Sequence, residues 1–160
     1  MTDPVEAQAI FDTLKGKFGD AVVELQSEGF SPAFIVVAPA AVNGIARFLK
    51  DDPALSFDSL MSLSGVDYKD RLAVAYHLHS MKLRHAIGMK AFLPSEAPSL
   101  PTVDDVWPAA NFQEREAYDL FGIGFEGSKD LRRILLPEDW EGHPLRKDYK
   151  YPDFYHGIKV

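Results

Sequence analysis

Leu72-Ala73-Val74-Ala75-Tyr76-His77-Leu78-His79 is the stretch that decides the fold. Leu72, Val74, Tyr76 and Leu78 fall on one side of a strand of period two, and Ala73, Ala75, His77 and His79 on the other. Working outward, residues 56–66 and 84–93 read as strands on either side of 71–79. The links between them are too short for a parallel crossover, so the three strands pair antiparallel. Upstream, 21–27 and 33–38 are rich in Val, Ile and Phe, with Gly29 and Pro32 between them, and read as another strand pair.

Two helices complete the body. Asp3-Pro4-Val5-Glu6 offers an acceptor at the N-cap, proline at the first position and a carboxylate in the first turn; Ile10, Leu14 and Phe18 then recur at spacing four before Gly19. Pro39 opens a second helix with Val42, Ile45, Ala46 and Leu49 on one stripe, closed at Asp51-Asp52-Pro53. The order α-β-β-α-β-β-β predicts an α+β domain over 1–93, two layers with an antiparallel-rich sheet and both helices on one side. A Pro-rich connection over 94–110 carries Pro94, Pro98, Pro101 and Pro108. A short helix near 112–121 and an irregular C-terminal arm fill 111–160. That arm holds Leu131, Leu135, Trp140, Leu145, Tyr149 and Phe154 with little periodicity, so it wraps its own domain or lies on another protein.

With 160 residues, the chain has the size of one domain that builds a core without staples. It contains no cysteine, which removes thiolate zinc sites, cluster ligation by thiolates and disulfides. No apolar run approaches the ~20 residues of a membrane span. The net charge is −7; up to Ser128 there are 10 basic against 18 acidic residues, and after it 7 against 6. An acidic body argues against nucleic acid as a partner. The start has neither a signal-type apolar core nor an Arg-rich transit pattern, so the expectation is a soluble chain, or one held at a membrane through partners.

Three motifs bear on chemistry. Gly122-x-Gly124-x-x-Gly127 fits the dinucleotide fingerprint, but a helix precedes it where a strand is required, and Gly122 stands where a helix C-cap belongs. His77 and His79 share a face, and a tight turn at 80–82 would bring His85 opposite them, which suggests a stand-alone metal site; a polar outer strand face is the simpler account. Asn111-Phe112-Gln113-Glu114 reads as a capping box for the short helix. Leu120, Ala117 and Phe121 form that helix's apolar arc, with Arg115 and Asp119 opposite, one turn apart and able to pair weakly. Glu114 falls at the edge of the buried face and calls for a cation, with Arg132, Arg133 and Arg146 the candidates. Glu114 and Glu116 diverge on the helix, poor geometry for paired acid–base catalysis, and an ion network is the better reading.

The run Asn111-Phe-Gln-Glu-Arg-Glu-Ala-Tyr-Asp-Leu-Phe-Gly122, followed by Asp130-Leu-Arg-Arg-Ile-Leu-Leu-Pro137-Glu-Asp-Trp-Glu-Gly-His-Pro-Leu-Arg-Lys-Asp-Tyr149, resembles the 30 kDa subunit family of respiratory complex I. The family supplies the C subunit of the bacterial NADH:quinone oxidoreductase and the J subunit of the cyanobacterial type. Gly65-Val66-Asp67-Tyr68 and the element order look like the same family's N-terminal domain. Gly127-Ser128-Lys129 departs from the Gly-His-Pro often found there. The resemblance implies a peripheral-arm scaffold of a proton-translocating complex, with no catalytic, cofactor-binding or metal-binding residue of its own. FMN and iron–sulfur clusters would reside in partner subunits. The partners it implies are the 49 kDa-type quinone-site subunit and neighbouring iron–sulfur subunits, on the cytoplasmic side of the membrane. By position it assigns interface roles to Glu114, Arg115, Glu116, Asp119, Arg132, Arg133, Trp140, His143, Arg146, Lys147 and Asp148. Related subunits serve membrane-bound hydrogenases and F420- or ferredoxin-linked dehydrogenases, which leaves the electron donor open.

Overall fold

The computed structural model describes residues 4–160. The proposed cap at Asp3 lies outside the described residues. Helix α1 (Pro4–Phe18) ends at Gly19, whose φ of +57° breaks it, and buries Ala7, Ile10 and Leu14. Strands β1 (Val22–Gln26) and β2 (Phe34–Val37) pair antiparallel. Helix α2 (Val42–Asp51), entered through a short turn at Pro39, buries Val42, Ile45, Ala46 and Leu49, the stripe expected from its spacing. Strands β3 (Ser59–Asp67), β4 (Arg71–His79) and β5 (Ala86–Pro94) form an antiparallel meander. The strand expected from residue 56 begins three residues later, because Ser56 takes a left-handed φ of +48° in the turn that leaves α2.

The sheet order is β1-β2-β5-β4-β3, all antiparallel except β2 beside β5. The α+β class and the antiparallel-rich sheet therefore hold. Ile35, Val37, Leu72, Val74, Tyr76, Leu78, Ile87 and Met89 join one core with the helix stripes. The opposite face of β4 is not a solvated one. Ala73 and Ala75 are buried, and the Phe34 ring fills the space that a Cβ on Gly88 would occupy. The same ring stands edge-on to His77 at 5.1 Å and takes the Lys90 ammonium at 4.7 Å.

His85 does not face His77 and His79. Its Nε2 meets the Leu55 carbonyl at 2.6 Å, and its ring stacks on Phe57 at 4.6 Å, so the three-histidine site does not form. Among the described residues no group of three His, Asp or Glu side chains is placed to hold a metal.

The Pro-rich stretch alternates a short strand with turns and is woven into the body. Strand β6 (Ser99–Pro101) pairs parallel with β7 (Gly124–Glu126), on either side of helix α3 (Ala110–Phe121). Leu100, Val103, Val106 and Trp107 join the same core, and the Trp107 indole donates to the Phe57 carbonyl at 2.9 Å. Beyond residue 127 the chain is irregular up to a short hairpin, β8 (Phe154–Tyr155) and β9 (Ile158–Lys159), which periodicity does not anticipate.

Candidate functional site: the arm clasped to helix α3

Helix α3 lies along β3, and the Phe121 ring rests against Gly65, where a Cβ would meet it at 2.6 Å. The helix starts at Ala110 without a side-chain cap, so the expected Asn111–Glu114 capping box is absent. Glu114 reaches into the body instead. It accepts the Thr102 hydroxyl at 2.6 Å and the Val103 N–H at 2.8 Å, and its side chain is wholly buried. Neither Arg132, Arg133 nor Arg146 reaches it, which corrects the expectation of a cationic partner: the turn after β6 supplies two donors there instead. Burial raises the Glu114 carboxyl to about 7; the two hydrogen bonds oppose the rise, and Asp104 and Asp105 add to it. The Tyr76 hydroxyl, also buried, has no hydrogen-bond partner and is pushed upward by burial and by Glu114.

Arg115 and Asp119 are also inside, not on a solvated back face, and they do not pair with each other. Arg115 donates to the Arg132 and Arg133 carbonyls at 3.2 and 3.0 Å. Asp119 accepts the N–H groups of Ile134, Leu135 and Leu136 at 3.1, 2.7 and 2.9 Å, and pairs with Arg133 at 2.7 Å. Burial works against its ionisation, but the Leu136 N–H, the Arg133 guanidinium and the other two N–H groups outweigh it and lower its pKa. The amphipathic wheel misplaces both residues because it treats charge as outward-facing. An irregular segment has unpaired backbone groups, and buried charges on a neighbouring helix are their natural partners.

The clasp continues along the arm. Arg133 also donates to the Trp140 and Gly142 carbonyls at 2.8 and 2.9 Å. His143 Nδ1 contacts the Asp119 carbonyl at 2.9 Å, and its ring covers Gly122, a helix C-cap at φ +74°. Arg146 donates to the carbonyls of Ser95 (2.7 Å) and Phe121 (3.3 Å), with Asp148 at 3.8 Å. The Lys147 N–H donates to Asp67 at 2.7 Å. Arg132 pairs with Asp130 at the surface, while the Glu116, Lys147 and Asp148 side chains are exposed. Asp67 and Thr102 are anchors that sequence reasoning missed; the Gly65-Val66-Asp67-Tyr68 run was visible, but its partner 80 residues away was not.

Glu114 is buried while Glu116 faces solvent, so these two carboxylates do not converge. Arg133, His143 and Arg146 of the arm turn their polar groups inward. Leu135 (61% exposed), Leu145 (51%), Tyr151, Phe154 and Ile158 (71%) face outward.

The chain matches the family described as respiratory-chain NADH dehydrogenase, 30 Kd subunit, over residues 35–155. It is 46% identical to the C subunit of the NADH-quinone oxidoreductase of Chloroherpeton thalassium, over 99% of this chain and 67% of that protein. It is 47% identical to the subunit of the same name from Chlorobium phaeobacteroides, over 100% of this chain and 99% of the relative. Among solved structures, a trypsin-resistant fragment (1–134) of Nqo5 superposes with a TM-score of 0.57 at 31% identity, covering 75% of this chain and 97% of the fragment. A chain of an archaeal membrane-bound sulfane sulfur reductase complex shares the fold, with a TM-score of 0.72 at 24% identity over 89% of this chain and 85% of the other.

Proposed function

The chain belongs to the family of the respiratory-chain NADH dehydrogenase 30 kDa subunit, and from that premise we propose that it is a non-catalytic, peripheral-arm scaffold whose C-terminal arm docks on its neighbours in an NADH:quinone oxidoreductase. One observation carries this reading: the buried charges of α3, Arg115 and Asp119, hold the arm while apolar side chains along it stay exposed. Single exposed apolar residues are ordinary, but six on one arm, Val160 with the five named above, fit an interface better than a solvated surface.

The partners are the 49 kDa-type quinone-site subunit and adjoining iron–sulfur subunits, which carry the clusters, with FMN also held by a partner. The chain is held on the cytoplasmic side of the membrane through them; no helix among the described residues is long and apolar enough to cross a bilayer. Arg115, Asp119, Arg133, His143 and Arg146 act as internal struts that set the arm's shape. Glu116, Trp140, Lys147 and Asp148 form, with the apolar residues, the surface a partner meets, and Arg132 lies at its rim.

Affinity purification at native expression tests the proposal. Cluster-bearing polypeptides should co-purify with the tagged chain, and Leu135→Glu should reduce their recovery without altering the melt of the isolated chain. Recovery of a lone chain would overturn the docking role.

A further inference from the structure

Between the 137–142 turn and the C-terminal hairpin lies a recess of about 310 Å³. It is lined by Trp140, Phe154, Tyr155 and His156 together with the carboxylates Asp139 and Glu141. The Trp140 and Tyr155 ring centroids are 5.1 Å apart, and Tyr155 meets His156 edge-on at 4.3 Å. We propose that this recess receives the side chain of an arginine or lysine presented by a partner subunit.

The inference rests on the docking role above and specifies the chemistry of one contact. Aromatic faces attract cations through the ring quadrupole, and Trp is the strongest of them. Two carboxylates add charge of the complementary sign, and neither Lys nor Arg lines the recess. Asp139 accepts the Tyr155 hydroxyl at 2.8 Å and meets His156 Nε2 at 2.6 Å; these contacts hold its carboxyl below the usual range and keep it charged. The exposed Glu141 carboxylate has no partner among the described residues.

The recess is also pre-organised. Arg133, locked on Asp119, grips the carbonyls of Trp140 and Gly142, and the Tyr149 hydroxyl donates to the Glu141 carbonyl at 3.0 Å. A cation arriving there meets walls already in place, so little ordering opposes binding.

The full chain is titrated with Nα-acetyl-arginine amide and, separately, with the neutral citrulline counterpart, while the two indole N–H resonances are followed. The Trp140 indole N–H is buried without an acceptor and reports on the recess; that of Trp107, bonded in the core, is the internal control. The Trp140 resonance should move saturably with the arginine amide alone, and Glu141→Gln should weaken that binding about fivefold. Equal shifts with citrulline would mean an apolar or amide occupant and overturn the proposal, as would no shift at all. In the assembled complex, Glu141→Gln should lower the salt concentration that releases the chain. An assembled complex with unaltered salt release in the variant refutes the recess and leaves the docking role standing, whereas an unsubstituted chain that never assembles refutes the docking role.

Discussion

Replacing Asp119 by alanine should free the arm without melting the body. The Asp119 side chain is fully buried and its partner Arg133 is 14% exposed. Removing one member of a buried pair costs about 3–5 kcal/mol, because the other charge is stranded. The N–H groups of Ile134, Leu135 and Leu136 lose their acceptor as well, but those residues are partly exposed and water replaces it in part. Within the arm beyond residue 130, Leu131 is the side chain that packs against the core, so the loss emerges as local opening. Amide exchange read peptide by peptide is therefore the assay. Protection at 134–136 should fall by about two to four powers of ten, since each ~1.36 kcal/mol is tenfold, while β4 stays as protected as before. Unchanged protection at 134–136 would show that the carboxylate does not hold the arm; equal loss in β4 would show that arm and body unfold together. The acid dependence follows from the lowered pKa. The stabilisation is fully present above the unfolded value near 3.8 and is lost as pH falls through the still lower folded value, so acid should release the arm below about pH 3.8.

Glu114 carries the opposite sign. Its carboxyl is raised in the folded chain from 4.5 to about 7, so the folded state binds more protons in that window and stability falls as pH rises from about 4.5 to 7, levelling above it. Urea unfolding at intervals from about pH 5 to 8 should show a decline on the order of 3 kcal/mol that Glu114→Gln abolishes; the same slope in the variant would assign it to other groups. Gly65→Ala places a methyl 2.6 Å from the Phe121 ring and should cost about 1–3 kcal/mol by lifting α3 from β3. A denaturation midpoint equal to that of the unsubstituted chain would mean that the ring moves aside freely.

The helix stripes Ile10/Leu14 and Val42/Ile45/Ala46/Leu49, the β4 alternation and the Gly122 cap were legible from the chain alone. Each is a short-range consequence of a period or of backbone sterics, and residues a few positions apart contain all the information. The same is true of what the absence of cysteine removes. The burial of Arg115 and Asp119 was not legible, nor were the donors that meet Glu114, the hold of Asp67 on Lys147 or the roofing of the second sheet face by Phe34. Those outcomes depend on which irregular backbone, up to 80 residues away, comes to lie against a given side chain. A buried charge is tolerated only where donors or acceptors meet it, and periodicity carries no record of where the chain returns. Local pattern thus determined the elements and their apolar faces; tertiary contact alone decided which charged groups went inside and left the arm's apolar side chains facing out.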